Sequence, residues 1–146
     1  MNILCITVGK KHEHMYAEAI ADFEHRILNY ARFDWLYIEP TDIATESAAI
    51  LSKINSDDFV IVLDERGKQY TSEQFAGLLE KAENQSKKRV VFIVGGAHGV
   101  NETVREAGTL LSLSNLVFPH QLVRLVLVEQ IYRACTIRKG EKYHHA

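Results

Sequence analysis

Two uninterrupted apolar runs, residues 59–63 (FVIVL) and 90–94 (VVFIV), leave this chain few folds to choose from. Successive side chains of a strand point to opposite faces, so a strand apolar at every position must be covered on both sides. Asn2–Val8 (NILCITV) has the same β-branched, apolar character. Between these runs the period changes. Residues 15–30 place Tyr16, Ile20, Phe23, Ile27 and Tyr30 at spacings of 4, 3, 4 and 3, which makes an amphipathic helix. Residues 33–38 form a second strand, and 43–54 a helix whose start is marked by Thr41 or Asp42. After the strand at 59–63 the polar stretch DERGKQY is expected to be a loop. Thr71 and Gln74 fit a capping box that opens a helix over Ser72–Asn84. A fourth strand at Arg89–Val94, a short helix capped by Asn101 and running to 107, and a fifth strand at 109–113 follow. Strands alternating with helices give an α/β fold, a mainly parallel sheet with helices on both faces. Ligands of such sheets bind beyond the carboxyl ends of the strands, which directs attention to the turns after Val8, Leu63, Val94 and Leu113.

The 146 residues form one expected domain, 1–146, because only Pro40 and Pro119 occur as prolines and no Gly/Ser-rich tract separates two compositions. Cys5 and Cys135 sit in apolar runs without C-x-x-C or Cys/His spacing, which favours reduced core thiols over a bridge. No apolar stretch reaches membrane-spanning length and the N-terminal run is too short for a signal peptide, so a cytoplasmic protein is expected. The net charge of −2 argues against a generally basic nucleic-acid binder. The C-terminal segment is nevertheless locally basic: Arg124, Arg133, Arg138, Lys139 and Lys142 face only Glu129 and Glu141. Such an end can attract phosphate, or simply be a solvated tail.

FIVGGAHG, residues 92–99, breaks from strand into glycines, as a ligand cradle or a plain tight turn would. Its spacing is neither G-x-G-x-x-G nor G-x-x-x-x-G-K-[ST], and the acidic residue of a dinucleotide site is missing. There is no G-x-S-x-G nucleophile, and the pairs His12/His14 and His144/His145 lack matching carboxylate or Cys ligands. These are expected to be solvated loop histidines, and no metal is expected. Residues 112–124, SLSNLVFPHQLVR, stand out: Pro119 opens the last helix, and His120 and Arg124 lie four apart on one face, where a capped surface pair is the plain expectation. The helix over 121–137 is apolar nearly all round and needs burial on more than one side, for which a second subunit is the expected cover.

VVFIVGGAHG, SLSNLVFPHQLVRLVLVEQIYRA and the terminal GEKYHH, together with VGK and VLDERGK nearer the N-terminus, closely resemble the RlmH family of SPOUT methyltransferases. The likeness covers essentially the whole chain, and the combination GG-x-x-G, FPH-x-x-x-R, E-x-x-YRA and YH is highly specific. It implies a SPOUT-type fold with a C-terminal trefoil knot, a homodimer with active sites near the subunit interface, and methylation of N3 of a pseudouridine in 23S rRNA on the ribosome. The glycines would then serve S-adenosyl-L-methionine, with Leu63, Gly95, Leu113, Ser114, Asn115, Leu116, Val117 and Phe118 lining its site. The resemblance implies that His120, Arg124, Tyr143 and His144 face the RNA, with Arg124 neutralising phosphate or stabilising negative charge, Tyr143 stacking on a base, and His144 a candidate general base. A non-catalytic α/β binding module and a nucleotide-dependent oxidoreductase are the alternatives.

Overall fold

The computed structural model describes residues 1–145. The elements follow in the order β1 (Asn2–Val8), α1 (His14–Ile27), β2 (Arg32–Ile38), α2 (Ile43–Leu51), β3 (Asp58–Gln69), α3 (Ser72–Asn84), β4 (Arg89–Val94), α4 (Glu102–Glu106), β5 (Thr109–Ser112) and α5 (His120–Arg138). The strands form one sheet in the order β2-β1-β4-β3-β5, and every neighbouring pair is parallel. The all-apolar runs occupy the positions they demand. β1, β4 and the first half of β3 are interior strands, buried on both faces.

Each face has its own core. On one, Cys5, Phe33, Ile61 and Phe92 meet α1, α3 and α5 through Ile20, Phe75, Leu79, Leu127 and Ile131. On the other, Ile6, Val62, Val91 and Ile93 meet Ile50 of α2 and Val104 of α4. Both cysteines are free and buried, and burial pushes the thiols up, that of Cys135 to about 11. Helix α5 lies against both α1 and α3, and no residue between 120 and 138 is fully exposed, although many are only half-covered. Among the described residues no helix is long and apolar enough to cross a membrane.

The expected loop DERGKQY is instead largely strand, since β3 continues to Gln69. After Leu63 pairs with Leu111, residues 64–67 bulge outward, and Lys68 and Gln69 return to pair with Leu111 and Ser112. Main-chain pairing to the β5 edge carries this extension, and polar side chains do not oppose it where one face is open to water.

Helix ends follow their chemistry closely. Asp42, rather than Thr41, caps α2 by accepting from the Thr45 N–H at 2.8 Å, and Asn101 caps α4 through the Val104 N–H at 3.1 Å. At α3 the Thr71 hydroxyl accepts from the Gln74 N–H at 3.1 Å, while the Gln74 carboxamide accepts from the Thr71 N–H at 2.9 Å. Thr71→Ala removes one half of this box, and we expect it to lower unfolding stability by about 1 kcal/mol in urea titrations with an unchanged m-value; a shift under a quarter of that would show that α3 is held by packing alone.

Candidate active site

The carboxyl ends of β3, β4 and β5 and the start of α5 enclose a groove of about 910 Å³. Leu63, Gly95, Leu113, Ser114, Asn115, Leu116, Val117 and Phe118 all lie on its walls, joined by Asp64, Val123 and His120. The size suits a small organic ligand and the lining is mixed, with apolar side chains beside main-chain polar groups. In the loop from Leu113 to Phe118, Ser114 Oγ accepts from the Leu116 N–H at 2.9 Å and the Ser114 carbonyl accepts from Ser112 Oγ at 3.2 Å. These bonds shape a turn in which, among the described residues, Asn115, Val117 and Phe118 carry no hydrogen bond to other main-chain groups. Their N–H and C=O groups are free to read a heterocycle. Leu116 and Val117 form an exposed apolar rim. On the opposite wall, Gly96 and Gly99 bridge to make a two-residue turn that presents His98 to solvent.

Arg124 is placed differently from the expected surface pair. It is completely buried, and so is not presented to solvent for phosphate contact. Its Nη1 donates to the Lys10 carbonyl at 2.8 Å and to His12 Nδ1 at 3.3 Å, Nη2 donates to His120 Nε2 at 3.2 Å, and the guanidinium lies 5.7 Å from the Tyr37 ring centroid. Nε has no partner, and no carboxylate pairs with the group among the described residues. Gly9 makes the approach possible: at φ +128° it occupies backbone space that L side chains avoid, and a Cβ there would stand 2.9 Å from Arg124 Nη2.

Because arginine can only donate, both imidazole nitrogens that face it are acceptors and both rings are neutral. His12 passes its remaining N–H towards the Tyr37 hydroxyl at 3.3 Å, and its edge meets Trp35 at a centroid separation of 4.6 Å. Burial, then the Arg124 charge, lower its pKa to about 4. The same two causes in the same order lower that of His120, whose Nε2 also lies 3.2 Å from Thr7 Oγ1. His12 is therefore a half-buried member of this cluster and not a freely solvated loop histidine. Sequence reasoning missed it and Tyr37, because their role depends on contacts across 25 and 112 positions of chain.

The terminal residues gather elsewhere. The Tyr143 hydroxyl donates to Glu129 at 2.8 Å, beneath an Arg133 guanidinium 4.7 Å from its ring, and burial followed by the Glu129 hydrogen bond raises its pKa. His144 is bonded to Arg133 at 3.0 Å and, through Nε2, to Glu73 at the start of α3. Arg133 sits nine residues beyond Arg124 on α5, about 13 Å along the axis. Within one chain, then, His120 and Arg124 come together at the groove, and Tyr143 and His144 do not join them. Among the described residues no three His, Cys, Asp or Glu side chains gather as metal ligands.

A family described as predicted SPOUT methyltransferase matches residues 1–144. The chain is 41% identical to the ribosomal RNA large subunit methyltransferase H of Bacillus pumilus, 40% to that of Streptococcus pneumoniae and 38% to that of Parabacteroides distasonis. In each case the similarity covers 99% of both chains. With an all-parallel α/β sheet, a groove at its carboxyl ends and matches that run nearly the full length, the chain belongs to the SPOUT methyltransferase family.

Proposed function

We propose that this protein transfers a methyl group from S-adenosyl-L-methionine to N3 of a pseudouridine in 23S rRNA, acting in the cytoplasm as a homodimer of one-domain chains on the assembled ribosome. The observation that carries the reading is the groove. Its volume, its apolar walls at Leu63, Leu113 and Phe118, and its unbonded main-chain groups at Asn115, Val117 and Phe118 fit an adenine nucleoside, which offers flat apolar faces and edge donors and acceptors. When bound, S-adenosylmethionine supplies an electrophilic methyl on a cationic sulfur that keeps the S–C electron pair as the methyl leaves.

N3 lies between two carbonyl groups, so its proton is more acidic than that of an ordinary amide, and a nearby positive charge favours the anion left behind. Arg124 supplies that charge. Enclosed and without a carboxylate, it acts at the low effective dielectric of the interior and keeps His120 neutral beside the groove. His144 is assigned as the base that takes the N3 proton and Tyr143 as the ring that stacks on RNA. Their separation from the groove within one chain supports a site completed by the tail of a second copy, as does the half-covered apolar surface of α5. A C-terminal trefoil knot is part of the same reading.

Ribosomes lacking the modification should take up label from S-adenosylmethionine on N3 of one 23S pseudouridine, located by mass spectrometry of the RNA. Cofactor binding with no label on ribosomes or separated subunits would instead favour a binding module. Arg124→Ala and His144→Ala are each expected to slow single-turnover methylation by about 100-fold or more, and unchanged rates in both would remove these two roles. Stability should also depend on pH through His12. Its folded pKa lies below its ordinary value of 6.5, so the unfolded chain binds more protons between about 6.5 and about 4, and stability falls as pH drops through that window. His12→Asn, which keeps an acceptor for Arg124 but cannot titrate, should flatten the acid side of the melting-temperature profile; an unaltered slope would mean that other groups set it.

A further inference from the structure

A second, smaller pocket of about 450 Å³ lies on the other side of the Gly96–Gly99 turn from the groove. The two share Gly96, Ala97, His98 and His120, so they are neighbours separated by a thin wall. The distinguishing group of the smaller pocket is Glu46 of α2, only 7% exposed. Its Oε2 accepts from the Thr41 N–H at 2.8 Å. Oε1 has no hydrogen-bond partner among the described residues, yet it is not among the fully enclosed orphan atoms, and so it opens onto the pocket. No Lys, Arg or His pairs with it among the described residues. The nearby Asp42 differs: both of its oxygens are used by Thr45 at 2.8 Å. A nearly buried carboxylate oxygen that faces a pocket with spare capacity is placed to accept from a donor that enters there, and loses its water when a ligand without that donor fills the pocket.

We propose that this pocket receives the target base and that Glu46 Oε1 accepts the N1–H by which pseudouridine differs from uridine. The inference rests on the pseudouridine reading above and adds the means of selection. In uridine N1 carries the sugar and has no hydrogen. In pseudouridine the sugar is on C5, and N1–H is a free donor. N1 and N3 flank the same C2 carbonyl, so a ring that turns N1–H towards Glu46 can turn its N3 edge towards the wall shared with the groove, where His120 stands. A base that meets this pocket has to leave its stack, and the volume is ample for a nucleoside. A site built around a hydrogen bond discriminates strongly against the analogue that lacks the donor, because its own buried acceptor is then stranded.

The test compares kcat/KM on ribosomes carrying pseudouridine at the target with ribosomes carrying uridine there, for the wild-type protein and for Glu46→Gln. The glutamine must turn its oxygen to the Thr41 N–H, which leaves an NH₂ donor facing N1–H. The pseudouridine-to-uridine ratio should fall roughly 10- to 100-fold in the variant, the size expected for a hydrogen bond to a charged group. A wild-type protein inactive on pseudouridine ribosomes would overturn the methyltransferase reading itself. A wild-type preference kept intact by a variant that melts normally would overturn only the role of Glu46. Gly96→Ala covers the case in which Glu46→Gln does not fold. Its Cβ would stand 3.2 Å from Glu46 Oε1 and 3.1 Å from Val8 Cγ1, displacing the carboxylate from outside, and should lower the same ratio; an undiminished ratio would again exclude Glu46.

Discussion

The enclosed guanidinium of Arg124 is the interaction from which the rest of the site is organised. Removing a cation from water without a carboxylate beside it is expensive, and the fold offsets that cost with a carbonyl, two neutral imidazoles and an aromatic face. The partners come from three segments: Lys10 and His12 from the loop between β1 and α1, Tyr37 from β2, and His120 from the start of α5. One side chain on α5 therefore ties this helix to the β1–α1 loop and to β2 at the carboxyl end of the sheet. The glycine at position 9 gives it the space, and the Gly9 N–H bond to the Ile38 carbonyl at 2.8 Å ties the same loop to the end of β2.

Helix α5 joins this electrostatic centre to the core. Leu127, Val128, Ile131 and Ala134 pack among α1, α3 and the sheet, so the first turn of the helix, and with it His120 and Arg124, has little freedom to move. The second half of the same helix, through Glu129 and Arg133, holds Tyr143 and His144. Site chemistry thus sits at one end of a rigid rod and the tail at the other. The proposed composite site, completed by the tail of a second copy, would bring the two ends of such rods together.

Much of this architecture is legible in the sequence because it depends on local period and local chemistry. Runs such as VVFIV need two covered faces wherever they occur, and Thr71 with Gln74 makes its capping box from residues three apart. Pro119 likewise announces the start of α5. What was missed depends on distance along the chain. The continuation of β3 past Leu63 is decided by main-chain pairing with β5, which hydropathy does not encode. Arg124 looks like a surface residue until Lys10 and His12, more than a hundred positions away, close over it. Glu46 reads as an ordinary helix carboxylate. Only the fold shows that one of its oxygens is occupied and the other is not.

The glycines of FIVGGAHG acquire their physical sense from the two pockets together. Methyl transfer needs donor and acceptor atoms about 3–3.5 Å apart and aligned, so the partition between their binding sites has to be nearly absent. At Gly96, where both pockets meet, any Cβ would press on Val8 and on Glu46, and thicken the partition from the side where the base is proposed to enter. A phosphate cradle uses glycine to bring main-chain N–H groups to an anion. In the proposed arrangement glycine instead keeps a wall thin between two ligands, a role that does not call for the spacing of nucleotide loops.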